Sequence, residues 1–317
     1  MPLKDKTNAV LRRTTGYSLT RETPAERDRA LAEAADRAAR KARRETRQEE
    51  RQRQREQAEA RARQAEERRA QRKRERAAKE AARRASGHYL PDRIDDAKRR
   101  IITRVQEWTM TGPTKLDALI EAVRYIERYD VPGDVVECGV WRGGSMQAVA
   151  LALLDAGDTS RELHLFDTFE GMPPPTDEDA RTVGGDVTSA AELLATSDRD
   201  SKMWAAATLE DVQDGMARTS YPADKIHYHR GLVEETTPQE APERIALLRL
   251  DTDWYASTKH ELEHLYDRLV PGGVLILDDY HSWDGAKQAV DEWLEEAGHP
   301  LLFVPIGAGL IAAKPRD

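Results

Sequence analysis

Two short acidic runs hold the residues best placed to do chemistry. Leu250-Asp251-Thr252-Asp253 and Leu277-Asp278-Asp279-Tyr280 each follow an apolar stretch that reads as a strand. If those strands are neighbours, about 4.8 Å apart, three or four carboxylates converge on one spot. Carboxylates so crowded repel, and at least one stays protonated unless a cation neutralises them. An all-oxygen donor set with room for water suits Mg2+, Mn2+ or Ca2+. In an ordinary setting the same residues are helix caps and solvated acids. His227, His229 and His281 show no zinc spacing, and with one cysteine in the chain a zinc site is not expected.

A second candidate is Glu137-Cys138-Gly139-Val140-Trp141-Arg142-Gly143-Gly144-Ser145, which leaves a strand and opens a helix. Its glycines allow a tight turn and a close backbone approach to a ligand. The spacing Gly-x-x-x-Gly-Gly is not the dinucleotide pattern Gly-x-Gly-x-x-Gly. Glu137, at the head of the loop, can pair with an ammonium group, which favours a ligand with an amino-acid end over a pyrophosphate. Asp167 ends the next apolar run, where nucleotide-type sheets place an acid on ribose hydroxyls. A helix cap is the plainer role for an aspartate there.

The elements that must position these residues alternate. Apolar runs at Val135–Cys138, Leu163–Asp167, Ile226–His229, Ile245–Asp251 and Gly273–Leu277 read as strands. Helical patterns cover Ile94–Glu107, Thr114–Tyr129, Ser145–Ala156, Ser257–Leu269 and Lys287–Glu296. Leu301–Val304 and Gly309–Ala313 read as a closing antiparallel pair. This order predicts a doubly wound, mostly parallel α/β sheet with an antiparallel edge, and a ligand at the carboxyl ends of its strands.

In front of that domain the composition changes. Charged residues make up 34 % of the chain, and the excess lies before residue 90. Residues 1–23 are polar and turn-prone and are expected to be disordered. Thr23-Pro24-Ala25-Glu26 has the form of a helix start, and from there to residue 86 the chain is almost only Ala, Arg, Glu, Gln and Lys. Many Glu–Arg pairs lie three or four apart. Such an arm of about 60 residues would span roughly 90 Å as a helix. Leu31 is its only large aliphatic residue, so a solitary charged helix is expected rather than a stable coiled coil. The domain proper is expected at 87–317.

The formal net charge of −8 argues against nucleic acid as the partner. One cysteine excludes an intrachain disulfide and suits a reducing cytoplasm. The amino-terminal residues show no secretory signal, and no apolar run reaches the roughly 18–20 residues that cross a bilayer. A cytoplasmic protein without a membrane segment is expected.

The run from Trp108 to Lys314 resembles the macrocin and mycinamicin type of S-adenosylmethionine-dependent sugar O-methyltransferase. Four ordered blocks carry the likeness: Val136 to Ser145, Phe166-Asp167-Thr168-Phe169-Glu170-Gly171-Met172-Pro173, Leu248 to Thr258, and Asp278-Asp279-Tyr280 followed by Lys287 to Glu292. The resemblance implies the class I methyltransferase fold, a Rossmann-like seven-stranded sheet. It implies that Glu137, Cys138, Gly139, Gly143, Gly144 and Ser145 hold the methionine part of S-adenosylmethionine and Asp167 its ribose. Gly231 and Leu232 would lie near the adenine, and Met110 and Thr111 would cover the cofactor. The Mg2+ ligands map onto Asp251, Asp278 and Asp279. Asp251, Asp253 and His281 are the candidates for the base, and Pro173 to Asp200 fits a lid over the acceptor site. The implied acceptor is a sugar hydroxyl on a natural-product glycoside; a catechol or phenol acceptor is the alternative within the same chemistry. The rivals are a nicotinamide-dependent oxidoreductase on a similar sheet and a non-catalytic scaffold. Relatives are often oligomeric, so a homo-oligomer joined through the arm is a further expectation. The arm itself has no counterpart in the family.

Overall fold

The computed structural model describes residue 90 and residues 94–199, 201–298 and 301–316, together with the isolated residues Ala25, Asp28, Arg29, Glu33, Asp36 and Lys41. The chain divides into two units, Met1–Lys79 and Glu80–Asp317. In the first, the isolated residues are helical, and Arg29 and Glu33 form an i,i+4 ion pair at 3.7 Å. The rest of the expected arm and the expected disordered terminus lie outside the described residues.

The second unit opens with α1 (Asp96–Val105), capped by the Asp95 carboxylate on the Lys98 amide at 2.9 Å, and α2 (Pro113–Arg128), with Pro113 in its first turn. Strand β1 (Asp134–Cys138) leads through the glycine loop into α3 (Gly144–Ala156), and β2 (Leu163–Asp167) follows. A hairpin of β3 (Ala180–Val183) and β4 (Asp186–Ser189) then precedes α4 (Ala190–Thr196) and α5 (Leu209–Ala217). The chain continues through β5 (Ile226–Arg230), α6 (Val233–Thr236), β6 (Ile245–Leu250), α7 (Tyr255–Leu265), β7 (Leu269–Leu277) and α8 (Asp284–Ala297). Strands β8 (Val304–Ile306) and β9 (Gly309–Ala313) close it.

The main sheet has seven strands in the order β5-β2-β1-β6-β7-β9-β8. The first five are parallel; β9 and β8 run antiparallel, as the closing pair predicts. β8 starts at Val304 rather than ending there. The two-residue turn Gly307-Ala308 sets Ile306 opposite Gly309 and Val304 opposite Ile311, so the ladder is counted from the turn and Leu301 is left outside it. The period of two sends alternate strand residues to opposite cores. Val135, Leu163, Leu165 and Leu247 pack with Ile102, Leu119, Ile120, Val123 and Val149 of α1, α2 and α3. Val136, Cys138, Leu248 and Leu250 pack with Leu262, Leu265, Val290 and Trp293 of α7 and α8. Strand order reverses between β1 and β6, the switch point at which such sheets open a crevice at their carboxyl ends. Among the described residues no helix is long and apolar enough to cross a membrane.

Candidate functional site

A cleft of about 380 Å3 opens at that switch point. Its floor is the tip of β1 and the loop beyond it. Gly139 has φ +83°, and a Cβ there would lie 2.0 Å from the Asp251 carbonyl oxygen, so only glycine lets the end of β1 lie against the end of β6. Gly144 donates its amide to the Trp108 carbonyl at 3.0 Å, and a Cβ there would meet the same backbone at 2.5 Å. The loop is thereby held to the segment that leads into α2.

Of the residues expected at the cofactor, Met110, Thr111, Gly139, Ser145, Asp167, Gly231 and Leu232 line the cleft. Glu137, Cys138, Gly143 and Gly144 stand behind it. Cys138 is fully buried among apolar residues, and burial holds its thiol well above the ordinary range. Asp167 accepts hydrogen bonds from the amides of Val140 at 2.7 Å, Trp141 at 3.0 Å and Phe169 at 2.7 Å, so its carboxylate pins the glycine loop to β2. Thr111 and Ser145 are 3.2 Å apart through their hydroxyls. Asp251, Asp253, Asp278 and Asp279 all reach the cleft, whereas His281 is exposed outside its lining and meets Tyr280 edge-on.

The adjacent strands β6 and β7 bring the two acidic runs together. Oxygens of Asp251, Asp278 and Asp279 lie within 4.8 Å of one another. Two cations that the sequence reading did not single out, one buried and one partly buried, are built into the same cluster. Arg249 is 2 % exposed and sits opposite Glu137 in the β1–β6 register. It donates to Glu137 at 2.5 Å, to Asp278 at 2.6 Å and to the Thr111 hydroxyl at 2.9 Å, and pairs with Asp251 at 2.7 Å. Lys115, from α2, donates to the Asp278 carbonyl at 2.8 Å and to its carboxylate. A lone Arg inside the apolar run Leu247-Leu248-Arg249-Leu250 was the available signal: a buried cation implies buried acids facing it.

These cations do not balance the cluster. Burial pushes Asp278 up, but Arg249 and Lys115 more than offset it, and its net shift is downward. Burial, then Asp253 and Asp278, drive Asp279 well above the ordinary carboxylate range. Asp251 is also driven well up by burial and by Asp278 and Asp279, against the pull of Arg249. Burial and Asp251 raise Asp253 to about 7. Glu137 is raised by burial to about 7, and its Oε2 has no hydrogen-bond partner. With more carboxylates than cations, the donor set fits a further divalent ion coordinated by oxygen.

The segment expected as a lid is a hairpin and a short helix rather than a long irregular loop. Met172, Pro173 and Arg181 from it and its approach line the cleft, as does Trp283 opposite. Asp179 is 0 % exposed; it accepts from the Thr176 amide at 2.8 Å and the Thr176 hydroxyl at 3.0 Å, and from the Tyr255 amide at 2.7 Å. It thus staples the hairpin to the first turn of α7, where Trp254 also donates to the Pro173 carbonyl at 3.0 Å. In Asp179→Asn, whichever way the amide is turned, an NH2 group faces a backbone N–H, which costs about 1–3 kcal/mol locally. We expect acceptor KM to rise about tenfold while cofactor affinity stays unchanged, measured by steady-state kinetics and calorimetry.

The family model described as Macrocin-O-methyltransferase (TylF) matches residues 29–302 of this chain. An 8-demethyl-8-(2,3-dimethoxy-alpha-L-rhamnosyl)-tetracenomycin-C 4'-O-methyltransferase of Streptomyces olivaceus is 35 % identical over 210 residues, which are 65 % of this chain and 76 % of that protein. A mycinamicin III 3''-O-methyltransferase of Micromonospora griseorubida is 35 % identical over 195 residues, 60 % of this chain and 71 % of that protein. Among solved structures, the O-methyltransferase NovP superposes with a TM-score of 0.58 at 26 % identity, covering 74 % of this chain and 88 % of its own.

Proposed function

The chain belongs to the macrocin-O-methyltransferase family, and from that premise we propose that it transfers the methyl group of S-adenosylmethionine to a hydroxyl of a sugar carried by a natural product, with Mg2+ at Asp251, Asp278 and Asp279. One observation carries the reading: three aspartates from adjacent strand tips converge beside a glycine-floored cleft, with too few protein cations to neutralise them. The relatives named for sugar positions of tetracenomycin and mycinamicin glycosides support the acceptor class.

A bound S-adenosylmethionine would supply an electrophilic methyl on a good leaving group, and a bound Mg2+ would supply the positive charge that makes a hydroxyl acidic near neutral pH. The protein's own residues do the rest. Gly139, Ser145 and Asp167 would hold the cofactor from the floor of the cleft, and Met110 and Thr111 would cover it. Arg249 fixes the Asp251 and Asp278 carboxylates, so neither must reorganise when an ion enters. Asp253, which reaches the cleft beside Asp251, takes the acceptor's proton at its carboxylate. His281, exposed outside the lining, has no such position. The Asp179-stapled hairpin and Trp283 flank the cleft, where they would orient the acceptor and exclude water.

The test is methyl transfer from isotopically labelled S-adenosylmethionine to a panel of rhamnosyl and deoxysugar macrolides and aromatic glycosides, with free catechols in parallel, and the product read by NMR. The reading predicts a new O-methyl signal on a sugar carbon, lost in chelator and restored by Mg2+. Methylation of catechols alone would overturn the acceptor assignment.

A further inference from the structure

A second cluster of imidazole and carboxylate side chains lies on β2, the residue before it and the edge strand β5, and none of it lines the cleft. The register sets His164 opposite His227, and Phe166 opposite His229. The period of two then puts three imidazoles on one face, from positions far apart in the chain, so no spacing motif announces them. The rings of His164 and His227 stack at 4.7 Å, and those of His164 and His229 at 5.3 Å.

The hydrogen bonds fix the tautomers of the neutral rings. His229 Nδ1 lies 2.7 Å from Glu240 Oε2, and an ionised carboxylate only accepts. Neutral His229 therefore carries its proton on Nδ1 and presents a bare Nε2. That Nε2 is 3.1 Å from His164 Nδ1, which must then donate. His164 is left with an unprotonated Nε2. The residue is 8 % exposed, and this atom has no hydrogen-bond partner. A buried polar atom without a partner is costly, and a ligand that takes its lone pair removes that cost. Glu240 thus holds His229, and His229 holds His164 with its far nitrogen bare, as hydrogen-bond partners behind a metal-ligating imidazole do. Glu162 and His227, 2.8 Å apart, lie beside this ring, and one ligand atom from each of the three residues falls within 4.8 Å of the others. The Glu162 and His227 side chains are 39 % and 36 % exposed, which opens the cluster to solvent.

We propose that Glu162, His164 and His227 form a site for a divalent transition-metal ion of the zinc class, separate from the aspartate cluster, that ties the edge strand β5 to β2. Two imidazole nitrogens, one carboxylate and an open position suit Zn2+ and Co2+, whereas the all-oxygen aspartate set suits Mg2+. The absence of a zinc spacing in the sequence is no obstacle, because the ligands come together across a strand pair. Lys225 donates to Glu162 Oε1 at 3.2 Å, and a bound dication displaces this ammonium.

The test is a Co2+ titration of the full chain, purified without a histidine tag, stripped by a chelating resin and held in excess Mg2+, followed by visible absorption. We expect one ion with the intense bands of low-coordinate nitrogen and oxygen ligation, displaced by Zn2+. Affinity should fall about tenfold or more in His227→Asn and in Glu162→Gln, and rise in Lys225→Gln, where a competing cation is gone. Methyl transfer and the unfolding midpoint in chelator should not change in any of them. An ion at the aspartate cluster gives the same signal in wild type and variants. No intense band in the wild type, or equal affinity in His227→Asn and Glu162→Gln, overturns the proposal.

Discussion

Asp279→Asn lowers methyl transfer by about a hundredfold to a thousandfold, leaves S-adenosylmethionine affinity within about twofold, and does not destabilise the metal-free protein. The three outcomes have one cause. Asp279 is 9 % exposed, and burial with Asp253 and Asp278 drives its carboxyl well up. A group whose pKa is higher in the folded state than in the unfolded one adds stability only while it is protonated, and that stability is lost as pH rises through the folded value. At neutral pH, above the value of an unfolded aspartate, Asp279 without an ion is therefore a cost to the fold whether charged or protonated, and the isosteric amide removes it. With an ion present the sign reverses, because the amide withdraws a negative ligand. Kinetics, calorimetry with the cofactor, and thermal unfolding with and without Mg2+ check the three parts. Full activity in Asp279→Asn would end the metal assignment; lost activity with a collapsed unfolding midpoint would make the residue structural.

The second large effect is on stability. Arg249→Met removes the cation that Glu137, Asp251 and Asp278 share, in a place where Glu137 and Asp278 are buried and only Asp251 keeps partial access to the cleft. Breaking a buried network from one side costs about 3–5 kcal/mol, since the stranded carboxylates keep their desolvation penalty. Arg249→Lys keeps the charge but lacks the planar fork that serves three acids at once, so an intermediate loss of about 1–3 kcal/mol is expected. Adding Glu137→Gln to Arg249→Met should return part of the loss, because one stranded charge is neutralised. Urea unfolding measures all four proteins. An Arg249→Met variant within about 1 kcal/mol of wild type contradicts the network's role.

Much of this was legible in residue order, for reasons that particular elements make plain. Leu163–Asp167 and Ile245–Leu250 are nearly unbroken apolar runs because both of their faces are covered, and such runs betray buried parallel strands. Asp251, Asp278 and Asp279 could be placed together because each follows such a run directly. The hairpin at Ala180–Ser189 was missed: its strands are four residues each, polar and mostly exposed, and only Gly184-Gly185 marked the turn. Helix α5 was missed although Thr208 caps it through the Asp211 amide at 3.2 Å. Glu137 read as a ligand for an ammonium group; its oxygen instead meets Arg249, a pairing set by strand register that one sequence does not display. Asp179 gave no signal, since nothing local says that a loop aspartate will accept an amide from Tyr255, at the start of a distant helix.

The proposed chemistry requires an ion between the adjacent tips of β6 and β7. Anomalous diffraction from crystals of the full chain soaked in Mn2+, with S-adenosylhomocysteine bound, tests it directly. The predicted result is one strong peak within bonding distance of carboxylate oxygens from Asp251, Asp278 and Asp279. Ordered density for all three side chains, cofactor product in the cleft and no peak between them at saturating Mn2+ would contradict it.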